Sequence, residues 1–133
     1  MPVAEDVSSA LGLYVRSIEE AEDLALAEKV WETTDAASLI WPLGWERGWR
    51  NIRKNFYETV MAGRFRDRRL SIVGEPVLRQ FDGFCLLEFA WDFAALSRED
   101  GAKVATRGRE SQVWLVHGGA PRLAHVHYSL RME

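Results

Sequence analysis

The strongest constraint on the fold is a run of strict two-residue alternation in the second half of the chain. Between residues 84 and 96, Cys85, Leu87, Phe89, Trp91 and Phe93 fall on one side, with Glu88 and Asp92 on the other. Side chains of an extended chain alternate between faces, so this run reads as a strand with one face on a core and one toward water. Asp82-Gly83, just before it, is a strong signal for a two-residue hairpin turn. Upstream, residues 66–73 and 77–81 read as one strand, interrupted at Gly74-Glu75-Pro76 by a bulge or bend. Downstream, Ser97 to Gly101 makes a turn, residues 103–117 a long strand, Gly118-Gly119-Ala120-Pro121 a turn, and residues 122–131 the last strand. From residue 64 onward the chain therefore predicts an antiparallel meander.

The first half carries a different period. Residues 7–31 read as helix in two pieces, with Leu11, Tyr14, Val15 and Ile18 on one stripe and Leu24, Ala27, Val30 and Trp31 on the next. Asp6 or Ser8 is a candidate cap for the first piece and Asp23 for the second. Residues 36–41 are short and apolar and end at Pro42, as a first strand does where the ladder loses a donor. After Gly48, Trp49, Ile52, Phe56 and Val60 return at helical spacing, closed by Gly63. Helices first and a long-stranded meander second predict an α+β domain, with about three helices filling the concave side of a curved antiparallel sheet. Such an arrangement leaves a space between helices and sheet, the natural place for a ligand pocket.

Length and charge narrow the function classes. A chain of 133 residues is one domain, residues 1–133, able to bury its own core. A net charge of −3 gives no basic footprint for nucleic acid, and Arg64, Arg66, Arg68 and Arg69 read as the charged protection of a solvated edge strand. Cys85, the single cysteine, sits in an apolar run and reads as a small buried hydrophobe. No apolar run approaches membrane-spanning length, and the acidic start Met1-Pro2-Val3-Ala4-Glu5-Asp6 lacks the features of a leader, so the expected location is cytoplasmic. A Gly-rich phosphate loop, a Gly-x-Ser-x-Gly elbow and metal-site cysteine spacing are all missing, and no cofactor is implied.

One stretch stands apart from ordinary loops. Ile40-Trp41-Pro42-Leu43-Gly44-Trp45-Glu46-Arg47-Gly48-Trp49 holds three of the six tryptophans, and large indoles must be buried somewhere. It reads as the turn from first strand to third helix, at the mouth of a concave site. Candidate chemistry lies at the other end of the chain. His125 and His127 share one face of the last strand, a spacing that suits a proton relay or two metal ligands. A metal would need a third ligand, and neither His nor Cys supplies one nearby, so no metal site is assigned. Glu110 is the best carboxylate to orient a histidine and is placed near the rim. Gln112 and Trp114, on the same face, are placed inside. Tyr57 and Tyr14 are candidate hydroxyl donors, against the alternative of core tyrosines with satisfied hydroxyls.

Two motifs carry a family resemblance over residues 8–131. Ser38-Leu39-Ile40-Trp41-Pro42-Leu43-Gly44, with Arg47-Gly48 and the helix to Tyr57, is similar to the strand, Pro-x-Gly and helix of SnoaL-like and ketosteroid isomerase-like proteins. Arg109-Glu110-Ser111-Gln112-Val113-Trp114, then Gly118-Gly119 and Leu123-Ala124-His125-Val126-His127-Tyr128-Ser129, resembles the last two strands of the calcium/calmodulin-dependent protein kinase II association domain. Both belong to the nuclear transport factor 2-like superfamily, and the resemblance implies a cone of helices on a strongly curved sheet, paired through that sheet as a homodimer. The departures are informative. Trp41 stands where the isomerases keep an aspartate base, and an indole cannot accept a proton from carbon, so steroid-isomerase chemistry by that route is not expected. Trp91 and Gln112 stand where the association domain has pocket arginines. Trp41, Trp45 and Trp91 are then expected to line a slot for a small apolar ligand, with Gln112, Trp114 and Tyr14. His127, Tyr57 and His125 are the expected proton donors or acceptors if the site is catalytic on an apolar or polyketide-like substrate. A non-catalytic assembly module is the remaining reading, because this fold hosts unrelated functions.

Overall fold

A computed structural model describes residues 3–116 and 118–132. The chain runs α1 (Val3–Glu19), α2 (Leu24–Val30), β1 (Ser38–Trp41), β2 (Gly44–Arg47), α3 (Trp49–Asn51), a π-helix (Ile52–Ala62), then β3 (Phe65–Phe81), β4 (Phe84–Ser97), β5 (Lys103–Leu115) and β6 (Arg122–Leu130). The α+β class and the helices-then-meander order stand as the patterns predicted. The far end of the long strand, expected at His117, lies outside the described residues.

The first helix begins four residues before the expected start at residue 7, so Asp6 and Ser8 do not cap it; Glu5 and Asp6 lie in its first turn, where negative charge meets the helix dipole favourably. Val7, Ala10, Leu11, Tyr14, Ser17 and Ile18 form its buried stripe. Asp23 does cap α2, its carboxylate accepting from the Ala25 amide at 3.1 Å. The third helix is the larger surprise. Beyond Asn51 it winds with i→i+5 bonding, and Ile52, Phe56, Tyr57, Val60 and Met61 are its buried face. Thr59 Oγ1 also donates to the carbonyl five residues back, Lys54 O, at 2.8 Å. Gly63 follows it, but with φ −78°, not in the left-handed cap geometry the sequence suggested. Its smallness is used differently: a Cβ there would lie 2.9 Å from Glu58 O.

The six strands are ordered β2-β1-β6-β5-β4-β3 in one sheet. All neighbours are antiparallel except β1 and β6, which pair in parallel through Ser38↔His125, Leu39↔Val126 and Ile40↔His127. The sheet is thus mixed and not wholly antiparallel as expected, because β1 joins it from the helical half of the chain. β2 was read only as a turn. It pairs with β1 around Pro42-Leu43, and being a mostly exposed edge it shows no burial alternation to betray it. Register shifts bend β3 at two places. The one between Val73 and Val77 falls at the anticipated Gly74-Glu75-Pro76; the other, between Arg66 and Arg69, contains Asp67 at φ 52°.

At the bulge around Asp67 the arginine cluster divides, with Arg64, Arg66 and Arg69 exposed and Arg68 turned inward. Arg68 is not solvated but 5% exposed. It donates to the carbonyls of Ile18 (2.7 Å), Glu19 (3.1 Å), Met61 (2.9 Å) and Phe65 (2.6 Å), and pairs with Glu22. The ends of α1 and of the π-helix leave carbonyls without helical partners, and one guanidinium satisfies several of them at once. The helices lie against one face of the sheet, where Trp31, Tyr14, Tyr57, Phe56 and Trp114 are the largest buried side chains. Cys85 is fully buried among them, as expected of a small hydrophobe.

Candidate functional site

On the inner face of the sheet, β4 presents Leu87, Phe89, Trp91 and Phe93, and β5 presents Glu110, Gln112 and Trp114. Between these strands and the helices lies a cavity of about 260 Å³, bounded by Tyr14, Trp41, Phe56, Trp91, Glu110 and Tyr128. Pro42 and Leu43, the turn between β1 and β2, also border it, and the Leu43 side chain is largely exposed. The walls are mostly apolar and rich in aromatic rings. Trp41 meets Phe56 edge to face at 5.2 Å, and Trp91 meets Tyr128 edge to face at 5.6 Å.

Two features hold these walls. Glu46 on β2 accepts from Trp41 Nε1 at 3.0 Å and from Asn55 Nδ2 at 2.7 Å, clasping the hairpin to the π-helix. Gly108 lies opposite Trp91 in the ladder, and a Cβ there would sit 2.0 Å from Ser129 O and 2.5 Å from Trp91 Cζ2. The glycine thus makes room for the indole to cross β5. Trp91 Nε1 is the one buried side-chain donor without a hydrogen-bond partner among the described residues.

Glu110 is the chemically distinctive group. Only 6% exposed, it accepts from Gln112 Nε2 at 2.7 Å, and the Tyr14 hydroxyl lies near enough to favour its charged form. Burial pushes its carboxyl up to about 7; Gln112 and Tyr14 pull the other way without cancelling it. Near neutrality the group can therefore either give or take a proton. Burial also raises the hydroxyls of Tyr14 and Tyr128, and the nearby Glu110 carboxylate adds to it, so both remain neutral donors.

The residues singled out from the sequence are sorted by this geometry. Trp41, Trp91 and Tyr14 border the cavity. Gln112 and Trp114 lie behind it, fully buried and bonded to each other. Glu110, expected near the rim, is inside, because β5 stays in register with β4 through Phe89↔Glu110 and keeps its even-numbered residues inward. Trp45 is not a wall residue: it is 59% exposed on the edge strand, with the Arg47 guanidinium 3.9 Å over its ring. Tyr57 is not on the cavity either. Its hydroxyl is held in the core by Ser17 Oγ at 2.8 Å and Trp31 Nε1 at 2.9 Å.

His125 and His127 are on the wrong face for this cavity. Val126 and Leu123 point inward from β6, with Tyr128 on the cavity wall, so the histidines point outward. His125 Nδ1 lies 2.6 Å from Ser38 Oγ, and burial beside His127 holds it below the usual imidazole range. Tyr128, Phe56 and Gly108 were missed as site residues. Tyr128 alternates with both histidines and faces the opposite way, so placing the histidines inside excluded it. Among the described residues no group of His, Cys, Asp and Glu could hold a metal ion. No described helix is long and apolar enough to cross a membrane.

No family model matches the sequence, and no curated protein matches it. Solved structures do. The hexachlorocyclohexane dehydrochlorinase LinA-type3 from Novosphingobium barchaimii superposes with a TM-score of 0.82 at 8% identity, covering 98% of this chain and 87% of that one. The CaMKII hub of S. rosetta superposes at 0.76 with 14% identity, covering 96% of this chain and 95% of that one. At such identities the likeness is one of fold alone. A nuclear transport factor 2 (NTF2-like) superfamily protein from Salmonella enterica serovar Typhimurium is closer, with a TM-score of 0.92 and 35% identity over 97% of this chain and 91% of its own. With that identity over nearly its whole length, the chain belongs to the nuclear transport factor 2-like superfamily.

Proposed function

We propose that the protein binds a small apolar molecule in the cavity between helices and sheet, and that Glu110 is the polar group that engages it. The observation that carries this reading is a carboxyl buried in an aromatic cavity and poised near neutrality. Gln112 meets one oxygen of this carboxyl, while Trp91 Nε1 in the same wall has no partner among the described residues, so a ligand with a polar oxygen would find polar groups to meet in an otherwise apolar cavity. At about 260 Å³ the cavity is slightly smaller than ordinary ligand pockets, which run roughly 300–1,000 Å³. A ligand of one or two rings with a single polar oxygen fits that size. The hexachlorocyclohexane dehydrochlorinase that shares the fold is named for a compact one-ring compound, which supports the size class.

If the site is catalytic, Glu110 is the acid or base and Tyr14 its neighbouring donor, in place of His127, His125 and Tyr57. Trp41 leaves the turn before Pro42 without a carboxylate, so steroid-isomerase chemistry by that route is not part of the proposal. The domain spans residues 1–133, in a cytoplasmic protein. The outer sheet face, with Val73, Val77 and the stacked Phe81–Phe84 pair exposed, supports self-association as a homodimer. A purely assembling module is the second reading, favoured by the CaMKII hub's likeness and these same exposed residues.

Native mass spectrometry of freshly purified protein reports subunit count and any retained molecule together. Titration with cyclohexanone, followed by tryptophan fluorescence, then tests the site. A ketone only accepts hydrogen bonds, so it should bind more tightly at about pH 5.5, with Glu110 neutral, than at about pH 8.5. No retained molecule and no saturable response at either pH would leave assembly as the function.

A further inference from the structure

Glu110, Gln112 and Trp114 alternate along one face of β5 and form a buried chain. Trp114 Nε1 donates to Gln112 Oε1 at 2.9 Å, and Gln112 Nε2 donates to Glu110 Oε2 at 2.7 Å. All three side chains are buried, so water does not compete for these bonds. The direction of the chain is not a free choice. An indole N–H can only donate, so the amide must turn its oxygen to Trp114 and its NH2 to Glu110. The alternative amide orientation would set N–H against N–H at one end. Glu110 Oε2 is consequently an acceptor in both protonation states, and because a carboxylic hydroxyl oxygen is a poorer acceptor than the carbonyl oxygen, the proton of the neutral carboxyl is favoured on Oε1.

We propose that Gln112 and Trp114 are positioning residues that dictate which oxygen of Glu110 carries the proton, so that the acid presents a donor from Oε1 and selects ligands with an accepting oxygen. The inference rests on Glu110 being the ligand-engaging group of the cavity. The ligands it selects when neutral are ketones, esters or quinones, whose oxygens bring no proton of their own. Around Glu110 the titratable neighbours are Tyr14 from α1, Tyr57 from the π-helix and Tyr128 from β6, while β4 opposes it with Phe89. These tyrosines have raised pKa values and stay neutral through the range in which Glu110 titrates, so none of them confuses the readout.

The test is carbon NMR of protein labelled at the glutamate side-chain carboxyl, with the Glu110 signal identified by its loss in Glu110→Gln. Trp114→Phe removes the indole donor without touching Gln112 or Glu110. The amide is then free to turn and accept from the neutral acid, and the titration midpoint should rise by about one pH unit. Gln112→Met takes the donor from the carboxylate and should raise it by at least as much. A midpoint unchanged in both variants, with only stability lowered, overturns the proposal. Should either variant fail to fold, the unmutated protein still decides. The Gln112 side-chain amide must shift with the Glu110 midpoint, and an amide that ignores the titration overturns the proposal as well. None of these measurements uses a ligand, so failure to bind cyclohexanone and failure of the positioning chain are separate results.

Discussion

The two faces of the same three strands make an instructive contrast. On the inner face, β4, β5 and β6 offer Trp91, Glu110 and Tyr128, a buried carboxyl among rings. On the outer face the same strands offer Glu88, Arg109 and His127, more exposed to solvent. The outer face has more of the side chains usually associated with catalysis, yet the inner one has the carboxyl raised to about 7. Solvent screens charges outside, while burial inside changes what a single carboxyl does at neutral pH. Function follows the environment more than the residue type.

The contrast can be broken at Gly108. Gly108→Ala puts a methyl into Ser129 O and the Trp91 ring, and thermal or urea unfolding should register a loss on the order of 3 kcal/mol. Arg109→Ala, one residue along and facing outward, should stay within about 0.5 kcal/mol. Equal losses at the two positions would mean that the faces are misassigned.

Glu110→Gln sharpens the comparison through pH. The folded state raises this carboxyl from 4.5 to about 7, so folding favours the neutral form. Below about pH 4.5 the group is neutral whether folded or not, and the substitution should change little. Between pH 4.5 and 7 the native protein bears a growing cost of ionising a buried acid, and above 7 that cost is complete. Stability of Glu110→Gln relative to the native protein should therefore rise across this window and level off at a gain of about 3 kcal/mol. Glu88→Gln, on the outer face in an exposed pair with Arg79, should lose less than about 1 kcal/mol. A flat difference profile for Glu110→Gln would remove the reason for placing the chemistry inside.

Smaller effects are expected at the mouth and outside. Trp41→Phe keeps a ring against Phe56 but takes a donor from Glu46, and roughly 2 kcal/mol should be lost. Faster hydrogen exchange in β2 should accompany that loss, since Glu46 then holds only Asn55. Finally, His127→Gln should alter stability by no more than about 0.5 kcal/mol and leave cyclohexanone binding unchanged. A binding defect there would restore the histidines to the site.

The sequence made the meander legible because Cys85, Leu87, Phe89, Trp91 and Phe93 alternate without a break and Asp82-Gly83 marks the hairpin. Trp41 was legible at the mouth of a site from its tryptophan-rich turn, and Trp91 as a cavity residue only by resemblance, since any large indole in an apolar run has the look of core. The choice of face on β6 was not legible. His125 and His127 form one alternating set and Val126 and Tyr128 the other, and only packing against the helices decides which is inside. Parallel pairing of β1 with β6 joins Ser38 to His125 across most of the chain, beyond the reach of any local pattern. The burial of Arg68 was hidden by its neighbours: its role depends on carbonyls contributed by two helix ends, not on anything adjacent in sequence.

The π-helix has a consequence for how the wall of the cavity can vary. An ordinary α-helix of its 11 residues would extend about 16 Å, and the wider i→i+5 winding fits the same chain into a shorter span. Both ends are pinned, by the tilted rings of Trp31 and Trp49 at one side and by Arg68 and Arg98, which donate to Met61 O and Ala62 O, at the other. Within those fixed ends the segment holds chain in reserve. Deleting one residue between Ile52 and Ala62 can be absorbed by tightening a turn to α winding, which rotates Phe56 relative to Val60 and reshapes the cavity while leaving the sheet untouched. The wall is therefore a place where length itself, and not only side-chain identity, can tune what the cavity admits.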